Sequence, residues 1–332
     1  MQNQQVNTPH QEAQPLVSFI ITYYDQPIQM LCECIDSILS LSLRPFEREI
    51  IVVDDGSSVS PMNGLMKYSD DIIYVRQKNQ GLSMARNQGI DIATGIYLQF
   101  VDADDHLLCA PYEHNLDIIR KNGDIDMVLF DFTNSNIPTQ TEFKDLPVMS
   151  GAEYMLSHNI RGTACGYLFK HTALSELRFT AGIWHEDEEF TPQMLIRAEQ
   201  VYVTNAKAYY YYKHPGTITT QADDESSTKR LNDLIGVIQQ LRELCNRVQQ
   251  DKRDALKRRV AQLSMDYIYQ VIVQKHSVTE LENRIEQLRD MRLFPLPNCD
   301  YSQKYKWFRA MTNSALGRRV LLHTLPLLKK ER

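Results

Sequence analysis

The sequence lacks any apolar run long enough to cross a bilayer, and its first fourteen residues are polar and rich in glutamine. A spanning helix needs about 20 mostly apolar residues, and a signal peptide needs an apolar central segment. Cysteine is scattered, and the one close pair, Cys32 and Cys34, lies in an apolar helical pattern without a second pair, so zinc is not predicted. We therefore expect a cytoplasmic protein with reduced thiols and a disordered lead-in over residues 1–15.

The sequence also lacks a basic excess, because its formal net charge is −6. Nothing in this charge attracts nucleic acid, and no nucleic-acid partner is expected. The charge is uneven, however, since residues 301–332 contain eight Lys or Arg and a single acid, Glu331. Such a tail fits peripheral contact with the anionic inner face of a membrane, and it equally fits a solvated helix face.

Short apolar segments alternate with helical patterns from Val17 to Phe132, and 43% of all residues are hydrophobic, which suffices for a proper core. Continuous apolar runs are typical of parallel strands covered on both faces. The pattern predicts a doubly wound α/β sheet. Its predicted strands are residues 17–24, 49–54, 72–76, 96–101 and 127–132.

Polar side chains collect where these predicted strands end. Ligands of open α/β sheets bind outside the carboxyl ends of the strands. The sequence therefore predicts a ligand site there, although it does not identify the ligand. The residues concerned are Thr22, Tyr24, Asp25, Asp54, Asp55, Asp102 and Asp104.

Three carboxylates, Asp102, Asp104 and Asp105, follow one predicted strand. Like charges this close repel each other, and a hard divalent cation with oxygen ligands relieves that repulsion. The alternative is a turn or a helix cap, which suits Asp105 ahead of the helix predicted near Pro111. The pattern favours a metal site only because further polar segments accompany it.

The second half of the chain contains one acidic motif and a helical region. Residues 184–190 read WHEDEEF, and a helix is predicted from about 187 to 198. Acids at a helix N-terminus are favourable to its dipole, so Glu188 and Glu189 have a structural interpretation as well. From residue 227 onward, apolar residues at helical spacing predict a packed helical region over 227–332, ending in the basic tail.

Four motifs in this order, VSFIITYYD, EIIVVDDGS, GLSMARNQGIDIATGIYLQFVDADD and HEDEEF, resemble family 2 glycosyltransferases with the GT-A fold, which build bacterial surface polysaccharides. The resemblance covers about residues 16–215 and implies one transferase domain over residues 16–220. It implies an enzyme that moves a sugar from a nucleotide-diphosphate donor to a hydroxyl of a glycan or lipid-linked acceptor. It further implies that the anomeric configuration inverts and that Mn²⁺ or Mg²⁺ assists.

The resemblance assigns donor-binding roles to the residues of the first three motifs. Thr22 and Tyr24 correspond to the loop that holds the nucleotide, and Asp55, with Asp54 nearby, to the residue that bonds the base. The family usually has Pro at position 22 and Asn at position 25, so the role of Asp25 is left open. The remaining positions correspond to residues near the diphosphate, namely Arg86, Asn87, Asp102 and Asp104, with Asp104 as the main metal ligand.

The acidic motif supplies the general base that the resemblance implies. A sugar hydroxyl is a weak nucleophile near neutral pH, so a carboxylate should take its proton as the new bond forms. Asp187 is the first candidate and Glu186 the second. Further residues with an implied role are Trp184 and His185 at the acceptor and His214 at the metal or diphosphate.

Two other interpretations stay open. Paired acids after an early strand are also typical of phosphoacceptor receiver modules, although the length and HEDEEF argue against one. A catalytically silent relative that serves as a partner subunit is the second. A dinucleotide dehydrogenase is disfavoured because no G-x-G-x-x-G follows the first strand. A homo-oligomer is among the expected partners.

Overall fold

The computed structural model describes residues 14–135, 140, 142–213, 224–299 and 301–330. The chain forms two compact units. The first comprises Met1–Leu146, Cys165–Glu176 and Tyr202–Tyr212, and the second comprises Pro147–Ala164, Leu177–Val201 and Lys213–Arg332. The domain boundary expected near residue 220 stays a prediction.

The first unit is built around an eight-stranded sheet with the order β3-β2-β1-β4-β7-β6-β8-β5. The strands are β1 (Val17–Tyr23), β2 (Arg48–Asp54), β3 (Ile72–Arg76), β4 (Tyr97–Asp102), β5 (His106–Leu107), β6 (Met127–Thr133), β7 (Tyr167–Lys170) and β8 (Val201–Tyr210). Strands β1 to β4 pair in parallel, and β7 pairs antiparallel with both β4 and β6. The sheet is therefore mixed.

The parallel half follows from the apolar runs of the sequence. Every residue of β1 is buried, which requires cover on both faces of the sheet. Part of that cover is α1 (Ile28–Leu39), whose buried residues recur at helical spacing at Leu31, Cys34, Ile35 and Ile38. The other helices of the first unit are α2 (Met62–Leu65), α3 (Leu82–Ile92), α4 (Cys109–Lys121) and α6 (His171–Leu174).

The connection from β2 to β3 is not one continuous α-helix, because the four-residue α2 passes directly into a 3₁₀ turn over Met66–Tyr68. Gly64 lies inside α2, and glycine is among the weakest helix formers. The chain therefore leaves α geometry early in this connection.

The second unit is helical and centres on α9 (Gln250–Lys275), which contacts α5, α8, α10, α11 and α12. Its helices are α5 (Gly151–Ser157), α7 (Glu186–Leu195), α8 (Asp224–Leu244), α9, α10 (Val278–Asp290), α11 (Gln303–Thr312) and α12 (Ala315–Lys330). The predicted apolar stripes are buried, as Leu234, Leu263 and Val271 show. Within the part of the chain that the structure describes, no helix combines the length and apolar character that a membrane span requires.

Candidate active site

The parallel register brings the predicted donor-binding residues of the first unit to one edge of the sheet. Thr22 on β1 lies beside Val53 on β2 and beside Asp102 on β4. Thr22 is buried, whereas the Tyr24 side chain is 49% exposed in the loop after β1. An exposed aromatic ring at this edge is available to a planar ligand.

Asp25 fastens the loop after β1 to the loop after β2. Its carboxylate accepts hydrogen bonds from the backbone N–H and the hydroxyl of Ser58, both at 2.8 Å. Its own N–H donates to the Ser57 hydroxyl at 3.0 Å. Asp25 has a φ of 57°, a left-handed conformation in which Asp and Asn are enriched. The departure from the family's Asn therefore preserves a turn residue.

Asp54 is fully buried at the end of β2. It accepts hydrogen bonds from the Ser57 N–H at 2.8 Å and the Tyr74 hydroxyl at 2.7 Å, and Arg76 Nε lies 3.7 Å away. Burial raises the pKa of the Asp54 carboxyl, but these hydrogen bonds outweigh it and the pKa lies below its ordinary value. Asp54 is therefore an ionised side chain that holds the turn after β2 by hydrogen bonds.

Asp55 holds the loop that leads into α3. One carboxylate oxygen, Oδ1, accepts from the Gln77 side chain at 2.7 Å and the Gln80 N–H at 2.9 Å, and Oδ2 accepts from the Gly81 N–H at 2.8 Å. A carboxylate has about four acceptor sites. Three are filled by this loop, which leaves one site on Oδ2.

Gly56 allows the turn after β2 to approach the loop that leads into α3. Its φ is +76°, and a Cβ added there would lie 2.6 Å from the backbone nitrogen of Asn79. Both the conformation and the close approach require glycine. The close packing of these loops therefore explains the glycine of the VDDGS motif.

Arg86 and Asp102 form the next part of the edge. Arg86 lies on α3 and is buried, and its Nη2 is 3.2 Å from Asp102 Oδ1. The Asp102 side chain is 34% exposed, Asp104 is half-buried, and Asn87 is buried on α3 next to Arg86. A guanidinium beside the Asp102 carboxylate, with Asp104 two residues further along the chain, leaves this edge able to bind both a cation and phosphate oxygens.

The donor set fits a metal that shares its ligands with a substrate. Within the described ranges, no group of three His, Cys, Asp or Glu side chains could hold a metal ion by itself. Asp102 and Asp104 supply hard oxygen ligands, and Mg²⁺ is commonly bound by one or two carboxylates together with substrate phosphates. The proposed further ligand, His214, lies outside the described residues.

Asp105, for which a turn or a helix cap was the alternative interpretation, is a buried acid whose partners lie far away in the sequence. Its carboxylate accepts from the Tyr209 hydroxyl and the Tyr212 N–H, each at 2.8 Å. Burial, together with the neighbouring Asp102, raises the pKa of Asp105 to about 8. No local pattern in the sequence identifies these partners, which lie more than a hundred residues further along the chain.

The acidic motif belongs to the second unit, at the start of α7. His185 precedes the helix in a left-handed conformation, and the first turn contains Glu186, Asp187, Glu188 and Glu189. The Asp187 carboxylate accepts from the Glu188 N–H at 2.8 Å. This placement at a helix N-terminus stabilises ionised carboxylates.

The two later acids of α7 have structural partners. Glu188 forms an ion pair with the buried Arg259 of α9. Glu189 accepts from the Thr180 hydroxyl at 3.0 Å, and burial raises its pKa. Their positions support the structural interpretation of these two acids.

Trp184 is tied to α8. The backbone N–H of Trp184 donates to the Asp233 carboxylate at 2.8 Å, and the Arg230 guanidinium lies 4.5 Å from the centre of the Trp184 ring. A cation over the ring face stabilises it in place. The ring is half-buried and thus belongs partly to the core.

A cavity of about 190 Å³ opens beside the start of α7. Its polar lining includes a buried Nε2 of His185 without a hydrogen-bond partner, and burial lowers the pKa of this imidazole. Burial raises the pKa of Asp266 to about 6. The cavity is smaller than the roughly 300–1,000 Å³ of a drug-sized site. It is lined by His185, Glu188, Leu234, Leu263, Asp266, Tyr269 and Gln270.

Solved structures show the same fold. The chain is similar to Staphylococcus aureus TarS 1-349, with a TM-score of 0.62 and 16% identity over 95% of this chain and 91% of that chain. It is also similar to the mannosyltransferase PcManGT from Pyrobaculum calidifontis in complex with GDP-Man and Mn²⁺, with a TM-score of 0.57 and 12% identity over 96% and 88% of the two chains. The first unit is a GT-A glycosyltransferase fold, which confirms the predicted fold class.

A family model matches the N-terminal part of the chain. Residues 18–149 match the model of glycosyl transferase family 2, which confirms the resemblance over this region. The uncharacterized glycosyltransferase YibD of Escherichia coli is 28% identical over 204 residues, which is 56% of this chain and 58% of YibD. The poly(ribitol-phosphate) beta-glucosyltransferase of Bacillus spizizenii is 28% identical over 59% of this chain and 32% of that protein. The chain thus spans less than two thirds of these relatives.

Proposed function

We propose that the chain is an inverting, metal-dependent glycosyltransferase that moves a sugar from a nucleotide-diphosphate donor to a hydroxyl of a glycan or lipid-linked acceptor. The observation that carries this proposal is the edge of the sheet where Thr22, Asp102 and Arg86 meet. It combines carboxylates for a cation with a buried guanidinium for phosphate. The poly(ribitol-phosphate) relative supports a role in bacterial surface polysaccharide synthesis.

The first unit binds the donor. Tyr24 covers the base with its exposed ring, and the remaining acceptor site of Asp55 receives a base N–H. Arg86, with Asn87 beside it, neutralises the diphosphate. The structural neighbour PcManGT, which is in complex with GDP-Man and Mn²⁺, supports such a donor site.

Asp102, Asp104 and His214 hold the divalent cation in this proposal. Once bound, Mn²⁺ or Mg²⁺ acts as a Lewis acid for the departing nucleoside diphosphate. The protein's own part is to fix the two carboxylates at the end of β4 and to keep Arg86 in place against Asp102. The diphosphate thus meets charges that are already oriented.

The second unit binds the acceptor. Asp187 removes the proton of the acceptor hydroxyl as the bond to the anomeric carbon forms, and Glu186 is the alternative base. Backside attack inverts the configuration at that carbon. The cavity beside α7 supports a site for a neutral, hydroxyl-rich acceptor. Its His185, Asp266 and Gln270 can exchange hydrogen bonds with hydroxyls, and Trp184 borders the same helix start.

Helices α11 and α12 provide the membrane contact of this proposal. Trp307, Leu316 and Val320 are 53%, 73% and 43% exposed, and residues 303–330 contain Lys and Arg but no acid. Exposed apolar residues with basic neighbours suit an anionic lipid surface. Trp307→Ser with Leu316→Ser should abolish binding to phosphatidylglycerol vesicles, whereas Val59→Ser with Met66→Ser should not. The expected homo-oligomer stays a prediction.

The proposal is tested by a panel of UDP- and GDP-sugars with Mn²⁺. We expect one donor to raise the melting temperature of the protein, because a ligand that binds only the folded state stabilises it. The same donor should be turned over only with a divalent cation, and Asp104→Ala should lower that turnover at least a thousandfold, about 4 kcal/mol. The exposed Asp124→Ala is the matched control. Turnover that survives both chelation and Asp104→Ala would refute the metal-dependent mechanism.

A further inference from the structure

Asp105 is the third acid after β4, and it differs from the first two in its surroundings. It is 2% exposed, whereas Asp102 and Asp104 are half-buried. Both of its oxygens are used, since Oδ2 accepts from the Tyr209 hydroxyl and Oδ1 from the Tyr212 N–H, each at 2.8 Å. Such a residue binds protein rather than ligand.

The Tyr209 hydroxyl bridges Asp105 and Asp102 by hydrogen bonds. It donates to Asp105 and accepts from the backbone N–H of Asp102 at 3.1 Å. The backbone N–H of Asp105 in turn donates to the carbonyl of Asp102 at 3.0 Å. Two routes therefore fix the turn that carries Asp102 and Asp104, and Tyr209 is fully buried, so water does not compete with them.

The contact with Tyr212 reaches the end of another strand. Tyr212 lies two residues after β8 and two residues before His214 in the sequence. Strand β8 also pairs with β5, with His106 opposite Tyr210. One carboxylate thus joins the turn after β4 to the exit of β8.

We infer that Asp105, acting through Tyr209, is a positioning residue that fixes the metal-binding turn of Asp102 and Asp104 against the exit of β8. The inference rests on the proposed function. It requires a carboxyl group, because the two donors bond two different oxygens and an amide offers only one. Partners that orient metal ligands in this way typically contribute 10- to 100-fold to metal affinity or activity.

The experiment measures Mn²⁺ binding in the presence of UDP and, separately, of GDP, by the loss of the free Mn²⁺ signal in electron paramagnetic resonance. We expect Asp105→Asn and Tyr209→Phe to weaken Mn²⁺ binding about 10- to 100-fold. Transfer should recover at high Mn²⁺ concentration, which a general loss of folded protein would not allow. Matched controls are Asp124→Asn, an exposed acid, and Tyr202→Phe, which removes a hydroxyl from the same strand.

The outcomes separate this inference from the proposed function. If both variants bind Mn²⁺ with wild-type affinity and differ from the wild type only in a lower melting temperature, the positioning role is wrong. The enzyme assignment would then stay intact. Absence of Mn²⁺ binding and of sugar transfer in the wild type would overturn both. If Asp105→Asn fails to fold, Tyr209→Phe decides, because it keeps the buried Asp105 carboxyl group and removes only the hydroxyl that joins Asp105 to Asp102.

Discussion

The two units use their acids in different ways. In the first unit, Asp54, Asp55 and Asp105 are buried, and each accepts hydrogen bonds from backbone N–H groups of nearby loops. In the second unit, Asp187 lies in the first turn of α7, and Asp266 lines a cavity. Acids of the first kind build the site, whereas acids of the second kind leave capacity for a ligand or a proton. The difference predicts opposite responses to substitution.

The largest effect should come from Asp187 in the second unit. Asp187→Asn cannot accept a proton and should lower transfer by about 10²- to 10⁴-fold, while donor binding by the first unit stays unchanged. Rates of transfer and donor affinity are measured side by side, with Glu186→Gln as the comparison. Equal transfer by Asp187→Asn and wild type would remove Asp187 from the mechanism, and loss in Glu186→Gln alone would make Glu186 the base.

An intermediate effect should come from Asp55 in the first unit. Asp55→Asn leaves at least one N–H of the 77–81 loop without its acceptor, which costs about 2 kcal/mol. We expect the melting temperature to fall by roughly 4 to 8 °C and the donor KM to rise. The exposed Asp70→Asn should change neither quantity. An unchanged melting temperature in Asp55→Asn would show that the loop does not depend on this carboxylate.

An effect of the opposite sign should come from Asp266. Its pKa is raised from 3.8 to about 6, mainly by burial, so the folded protein binds this proton more tightly than the unfolded chain. The stability from this group is complete below about pH 4 and is lost as the pH rises through 6. Asp266→Asn should therefore stabilise the protein above pH 6 by about 1 to 3 kcal/mol.

The measurement for Asp266 is the melting temperature of wild type and variant between pH 4 and 8. The two curves should coincide near pH 4 and separate as the pH rises. Asp251→Asn, at the exposed start of the same helix, should run parallel to the wild type. A variant that is less stable than wild type at pH 8 would mean that the Asp266 carboxylate has a stabilising partner after all.

The parallel half of the sheet could be predicted from sequence because each of its strands is a continuous apolar run bounded by polar turns. Strand β3 begins and ends where the pattern indicated, at Ile72 and Arg76. Strand β7 could not be predicted in the same way, since its four residues owe their conformation to antiparallel pairing with β4 and β6. Strand β5, with two residues, is likewise defined by its partner β8.

The candidate site could likewise be predicted from the sequence only in part. The pattern placed Asp55 and Asp102 at one sheet edge, because residues that follow neighbouring parallel strands end there, and the family resemblance placed Arg86 near the diphosphate. Motifs could not predict that Asp55 would hold the loop before α3 or that Asp105 would bond Tyr209, because both contacts join distant segments. Asp266 lies between two core positions of α9, Leu263 and Tyr267, and its burial depends on how α7 and α8 cover that helix.

The approach of Gly56 to Asn79 has a consequence for protein engineering. A Cβ added to Gly56, in the turn after β2, would lie 2.6 Å from the backbone nitrogen of Asn79, in the segment before α3. Asp55 of the same turn also accepts a hydrogen bond from that segment. A chimera that imports one of these segments from a homologue would pair mismatched surfaces. Donor preference should therefore transfer between homologues only when both segments are grafted together.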